Sequence, residues 1–522
     1  MQKILKYIFI SLFFFLISFQ LVLRFFDFHI TPADTFENRA LATQPNLTRQ
    51  NYLHWPTLLD SYFKDSTPLR SQFIAAYIRL WACGMNAHRS IFFSGKDGEK
   101  FCDFNDAPTI KKYIGMFPMS QRTLIWLKLS YAGMQAYFSL HGIPYLVMFI
   151  PDKTTLYPEW LPEWINWART KSHYEQIVPI LANNRINFFD FLPVLQRHKN
   201  ELRLYDQRYD IGHWNGNALD IAYQEAGKIL NRYGIPVDQA QLKQAYAVKN
   251  VDLHFFCIGD EKVPMVEYTP NSDVVNVSDD LASLQHLPEQ YKPQLFVNKK
   301  VSDHTLWVAS DSYFAATHGS SRLPLPPFVH QYIHLRQLNL AVARKLLPAY
   351  KPDLVIEEFV ERMDGAVSRA NDPEIRILGD ALLGTPGHSL VPAVVKRAAA
   401  FRDCTIRPEG ESCVVQVTGK MPLIKLPPVE TDDDGRAVLM AKMQSPEKTN
   451  AKVYYYPIGD RFSSGKVVSS PVIKGENFVH IDIYLQPHIK INVYFSPGSQ
   501  GGDYRFLPMP DVERIKGGQH GF

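Results

Sequence analysis

The stretch GIPYLVMFIPDK, Gly142 to Lys153, holds six uninterrupted apolar residues, Tyr145 to Ile150, between a glycine turn and a Pro-Asp-Lys corner. A strand with one face in water alternates polar and apolar residues. A short continuous apolar run predicts a strand covered on both faces, as in a parallel sheet flanked by helices. The segment before it agrees, because Gln121 to His141 reads as one long amphipathic helix. The pattern then recurs. INFFDF (Ile186 to Phe191), TLWVAS (Thr305 to Ser310) and DLVIEEF (Asp353 to Phe359) are further apolar runs, and Tyr174 to Ala182 and Ala218 to Gly234 are helical segments. Helices alternating with short buried strands predict an α/β domain with a parallel sheet.

Working outward, the texture changes beyond about Pro373. Val479, Ile481, Ile483 and Leu485 fall on one face of a period-two pattern, as do Ile489, Ile491, Val493 and Phe495. Alternation punctuated by turn residues predicts an antiparallel β-sandwich over 386–522. At the other end, an apolar run follows Lys3 and Lys6 and continues to Leu23, before Arg24. Its length is close to the roughly 20 residues a membrane span requires, and it lacks a small-residue cleavage site. It is expected to be an uncleaved signal anchor over 1–26, with a linker over 27–51 and the α/β domain over 52–372. Basic residues ahead of the run predict a single-pass inner-membrane protein with its bulk in the periplasm.

The chain has 522 residues, too many for one core, so two or three domains are expected. Its 56 basic and 52 acidic residues nearly balance, and no basic block suggests nucleic acid as a partner. Of five cysteines, Cys404 and Cys413 flank TIRPEGES, a spacing open to a hairpin disulfide, and Cys83 with Cys102 is a second candidate pair. No Cys/His cluster has zinc-site spacing, so neither metal nor other cofactor is expected.

Open parallel sheets present functional groups at the carboxyl ends of their strands. Ser310, Asp311 and Ser312 follow the TLWVA strand directly. A serine is a poor nucleophile unless a base lies within hydrogen-bond reach and a carboxylate orients that base. YDIGHWN (Tyr209 to Asn215) supplies both, with Asp210 three residues before His213. The plainer reading is an Asx-type turn ahead of the next helix, with Ser312 as a helix N-cap. Asp152 and Lys153 end another strand and could reach the same rim, or form a salt-bridged loop beneath Tyr157. Trp214 could stack on a sugar or pack under its loop.

Several blocks resemble one family in order. ASDSYF resembles the Gly-Asp-Ser nucleophile block of SGNH hydrolases, with Ser310 in place of glycine, and DIGHWN resembles their Asp-x-x-His block. FENRALATQP, FFSGKDGEKF, GIPYLVMFIPDKTTLYPEWLP and KPDLVIEEFVER are similar to segments of alginate O-acetyltransferases and related exopolysaccharide acetylation proteins. That resemblance implies an SGNH-hydrolase-like fold, with Ser312 as nucleophile, His213 as general base and acid, and Asp210 as its orienting partner. Asp152, Lys153, Trp214 and Tyr313 are then expected to contact substrate. It further implies a polysaccharide acceptor, a membrane-embedded acyltransferase as acetyl donor, and a carbohydrate-binding role for the sandwich. Tyr454, Tyr455, Tyr456, Tyr484 and Tyr494 lie on the sandwich's predicted strands. The alternatives are a carbohydrate esterase with the same triad and a non-catalytic polysaccharide-binding scaffold. Two departures stand out: Ser310 for glycine, and Asp-x-x-His-Trp where the acetyltransferases have Asp-x-His-Trp.

Overall fold

A computed structural model describes residues 92–103, 108–182, 185–255, 259–269, 271–278, 281, 292–301, 303–315, 325–362, 365–460 and 466–509. Before those it describes only 15, 19, 44, 45, 55–66 and 72. By compactness the chain forms two units, residues 1–90 with 252–262, and residues 91–251 with 263–522. In the first, Trp55–Asp65 is a helix with no buried residue. Everything that follows belongs to the second.

Its centre is a seven-stranded sheet. The strands are β1 (Tyr145–Ile150), β2 (Phe188–Asp190), β3 (Val274–Asn276), β4 (Gln294–Asn298), β5 (Thr305–Ala309), β6 (Gln331–Leu335) and β7 (Leu354–Val360). Their order is β2-β1-β7-β5-β6-β4-β3. The first five run parallel, and β4 pairs antiparallel to both of its neighbours. All six residues of β1 are buried, as the uninterrupted apolar run requires. Leu146, Met148 and Ile150 face one core, shared with Ala218 and Leu219 of helix α2 (Gly216–Arg232). Tyr145, Val147 and Phe149 face the other, shared with Leu127, Tyr131 and Phe138 of helix α1 (Gln121–Leu140).

Strands β3, β4 and β6 have no counterpart in the sequence reading. QYIHL mixes polar with apolar residues, and its burial comes from lying between β5 and β4.

The C-terminal region is strand-rich, as the alternation predicts. A six-stranded sheet and a five-stranded sheet enclose one core, with Val415, Leu439 and Ile481 from the first and Leu426, Val453 and Val493 from the second. Helix α4 (Pro373–Leu383) lies against α1 and also meets the sandwich strand Gly475–Tyr484. There the Arg436 guanidinium donates to both Asp380 oxygens, at 2.6 and 2.8 Å, and its Nε donates to Asp482 at 2.9 Å. Buried His480 lies 2.6 Å from Asp380 through Nε2. The Arg436 charge holds the fully buried Asp380 carboxyl well below its ordinary range despite burial.

Two expectations are corrected. Among the described residues no helix is long and apolar enough to cross a membrane, so the single-pass inner-membrane anchor, and the periplasmic placement argued from it, are not supported. Of 1–26 only Phe15 and Phe19 are described, and of 27–51 only Gln44 and Pro45; the rest lies outside the described residues. The Cys404–Cys413 disulfide is also absent. Both thiols are free, because the hairpin register sets Cys404 opposite Val417 and Cys413 opposite Pro408. Cys102 is free too, while Cys83 lies outside the described residues.

Candidate active site

Strand β5 ends at Ala309, and helix α3 (Ser312–Ala315) begins three residues later. The intervening turn is tightly held. Buried Ser310 places its hydroxyl 2.9 Å from His334 Nε2 on neighbouring β6, so a side chain at the usual glycine position is absorbed by the next strand. Burial pushes His334 down to about 4, which keeps that imidazole neutral. The Asp311 carboxylate accepts from the Tyr313 backbone N–H at 2.8 Å and from the Val360 N–H at 2.9 Å. It thereby pins the turn that carries Ser312 to the end of β7.

The YDIGHWN loop enters α2, with Asn215 as N-cap accepting from the N–H groups of Asn217 and Ala218. The loop brings His213 over the turn. His213 Nε2 lies 2.7 Å from Ser312 Oγ, and Nδ1 lies 2.8 and 3.0 Å from the two Asp210 oxygens. Nδ1 can donate only if it carries the proton. The network therefore assigns the tautomer whose Nε2 accepts from the serine hydroxyl. His213 and Asp210 side chains are 19% and 26% exposed, which leaves the series open to an incoming molecule. The Asp-x-x-His spacing thus closes the Asp–His contact, with the additional residue taken up in the turn.

The four residues expected to contact substrate are all buried. Trp214 is 1% exposed and donates Nε1–H to the Tyr313 carbonyl at 2.9 Å. Tyr313 is equally buried, and its hydroxyl donates to the Gly212 carbonyl at 2.7 Å. Asp152 is buried in an ion pair with Arg362. Buried Lys153 donates to the carbonyls of Lys100 and Asp206, each at 2.7 Å, and pairs with Glu99 at 3.0 Å. Burial pulls its ammonium down to about 8, against the pull of the Glu99 carboxylate. Lys153 is the post on which the glycine-bearing hairpin Phe92–Cys102 is fastened. All four are thus buried and bonded to protein partners.

Glu361 and Arg362 follow β7, and Arg362 meets the loop that carries Asp210 and His213 through the Gly212 carbonyl. Glu361 accepts from the Asp152 N–H at 3.0 Å, the Thr155 hydroxyl at 2.7 Å and the Tyr174 N–H at 3.2 Å. Burial, with the Asp152 charge adding to it, pushes Glu361 up to about 8. A cavity of about 320 Å³ opens at the carboxyl ends of β5, β6 and β7, bordered by Ser310, Asp311, Arg336, Glu357 and Arg369. Among the described residues no group of three or more His, Cys, Asp or Glu could hold a metal ion.

A hydrogen-bonded Ser-His-Asp series at the carboxyl edge of a parallel sheet is an arrangement found on several unrelated folds. Comparison narrows the class. Residues 130–298 match the family described as "SGNH hydrolase-like domain, acetyltransferase AlgX", a span that includes Asp210 and His213 and ends before Ser312. Over those residues the chain is similar to that family. No curated protein shows a significant match. Among solved structures, PatB1 of Bacillus cereus is 10% identical, covering 52% of this chain and 96% of that one at a TM-score of 0.37. The O-acetyltransferase domain of Pseudomonas putida AlgJ is 16% identical, covering 52% and 92% at 0.34. Pseudomonas aeruginosa AlgX is 12% identical, covering 80% and 93% at 0.32. Likenesses this loose carry no functional argument.

Proposed function

We propose that this chain transfers acetyl groups to hydroxyls of a polysaccharide through an acyl-enzyme on Ser312. The observation that carries the reading is the hydrogen-bonded series Asp210–His213–Ser312. His213 takes the Ser312 proton as the hydroxyl attacks the donor's acetyl carbonyl, and returns it to the leaving group. A sugar hydroxyl, deprotonated by His213, then attacks the acyl-enzyme and frees the serine. Asp210 holds the imidazole in the required tautomer and stabilises its cationic form. The backbone N–H of Ser312, at the start of α3, is an oxyanion donor in this reading. The acetyl donor is a membrane-embedded acyltransferase partner.

The sandwich offers a second contact to the polymer. On its five-stranded sheet Phe401, 54% exposed, and half-buried Tyr456 flank buried Tyr494, with ring centres 4.9 and 6.1 Å from it. Such a row suits sugar rings, whose C–H faces lie against π-surfaces. Tyr455 is turned into the core instead.

The test is acyl-enzyme mass. Incubation with an activated acetyl ester is expected to add one acetyl group, mapped to Ser312 and missing from His213→Ala. A folded wild-type protein that acetylates a glycan without ever carrying the adduct would sink the covalent mechanism. Release of acetate from an acetylated glycan, with no transfer to an acceptor, would move the assignment to an esterase.

A further inference from the structure

One buried cation stands directly behind the Asp–His turn. Arg362 follows β7, and its side chain is 9% exposed. Its guanidinium donates to three groups from three separate segments: the Asp152 carboxylate after β1, the Tyr313 hydroxyl at 2.8 Å, and the Gly212 carbonyl. The Tyr313 hydroxyl in turn donates to the same Gly212 carbonyl at 2.7 Å, and the guanidinium lies 5.0 Å from the centre of the Tyr313 ring. Gly212 immediately precedes His213, and Tyr313 immediately follows Ser312. The two partners of the catalytic contact are therefore each one residue from a group that Arg362 holds.

The carbonyl at Gly212 belongs to the stretch between Asp210 and His213 that is one residue longer than the acetyltransferase pattern. A longer turn has more freedom to swing its histidine away. Two donors converging on one carbonyl remove that freedom, and Asp152 fixes the guanidinium that supplies one of them. The planar fork of an arginine can serve these partners together, whereas a lysine ammonium is a single point charge.

We infer that Arg362 is a positioning residue for the triad, clamping the Gly212 carbonyl and the Tyr313 hydroxyl so that His213 and Ser312 stay in hydrogen-bond contact. The inference rests on the proposed Ser312 mechanism, and it is tested by one readout of chemistry and one of geometry alone.

In the full chain, Arg362→Met and Arg362→Lys are compared with wild type for the acylation burst with p-nitrophenyl acetate. The imidazole proton shared by His213 and Asp210 is followed by NMR and assigned by its loss in His213→Ala. The acylation rate is expected to fall about 100-fold in Arg362→Met, the scale of a roughly 1 Å misplacement. KM stays within about twofold, because the clamp touches no substrate. The imidazole resonance is expected to broaden or vanish in that variant, and Arg362→Lys to recover little. Should Arg362→Met fail to fold, Tyr313→Phe, which keeps the packing and removes one donor, decides with an expected loss of about 10-fold.

A folded Arg362→Met, or failing that Tyr313→Phe, with wild-type acylation and an unchanged resonance overturns the inference. So does a wild-type protein without the resonance, because the bond to be positioned is then not formed. A wild type that shows the resonance but never acylates Ser312 removes the mechanism instead. The clamp then stands if the resonance still depends on Arg362.

Discussion

His213 Nε2 and Ser312 Oγ lie 2.7 Å apart although 99 residues separate them in the chain. In the proposed mechanism, contact at that distance lets the serine proton leave as the oxygen attacks, so that the two side chains act as one unit. Ser312→Ala and His213→Ala are each expected to lower acetyl transfer by roughly 10⁴-fold or more, with the double variant little worse than either single one. Asp210→Asn keeps the size of the side chain but favours the wrong tautomer, and is expected to cost about 10⁴-fold in kcat. Rates of glycan acetylation for the three singles and the double are the measurement; additive losses would contradict a shared role.

The glycines of the loop are not equivalent. A Cβ on Gly212 would meet nothing closer than 3.8 Å, whereas one on Gly216 would lie 2.6 Å from the Pro264 carbonyl oxygen. Gly212→Ala is expected to stay within about 0.5 kcal/mol of wild type. Gly216→Ala is expected to lose about 1–3 kcal/mol, because backbone must move to admit it. Chemical denaturation of both variants distinguishes them.

At the seam between α4 and the sandwich, Arg436 is 4% exposed and Asp380 fully buried. Removing one partner of such a pair leaves an uncompensated charge. Arg436→Met is expected to destabilise by about 3–5 kcal/mol. An unchanged melting temperature would show that the seam contributes nothing net.

Glu361 sets a pH dependence of stability. Its folded value, about 8, lies above the ordinary 4.5, so the folded protein binds the extra proton and stability falls as pH rises through that interval. His334, held down to about 4, gives the opposite slope, but only below its ordinary 6.5. Between about pH 6.5 and 8 wild type is expected to lose stability relative to Glu361→Gln, which has no proton to lose there. Melting curves of both proteins across that window check it; parallel curves would remove Glu361 as the cause.

The aromatic row on the sandwich gives a binding prediction that does not depend on the triad. Tyr456→Ala is expected to weaken glycan binding by about 1 kcal/mol and leave the acetyl-ester burst unchanged. Titration calorimetry with the polymer, run on wild type and variant, is the check.

Much of the fold was legible because it is written in burial period. Tyr145 to Ile150 has no polar residue, and only a strand covered on both faces uses such a run. Val479, Ile481 and Ile483 alternate because only one face of their strand meets the sandwich core. Strand β6 was not legible, since Gln331 and His334 carry no apolar signal and β6 is a strand because of its neighbours. Asp210, His213 and Ser312 could be named from residue type and motif. Trp214, Tyr313, Asp152 and Lys153, expected as substrate contacts, are buried, because an aromatic or charged residue beside a motif reads the same whether it faces solvent or a buried partner.

Sequence alone determined the parallel-sheet core and the antiparallel tail. Each of these follows from local pattern, where side-chain polarity repeats with the period of the backbone. Tertiary structure alone decided that Ser310 is accommodated by His334, that the longer Asp–His turn still closes, and that Arg362 stands behind it. Those depend on distances between segments far apart in the chain, and such distances are set by packing of the whole sheet rather than by any stretch of residues within it.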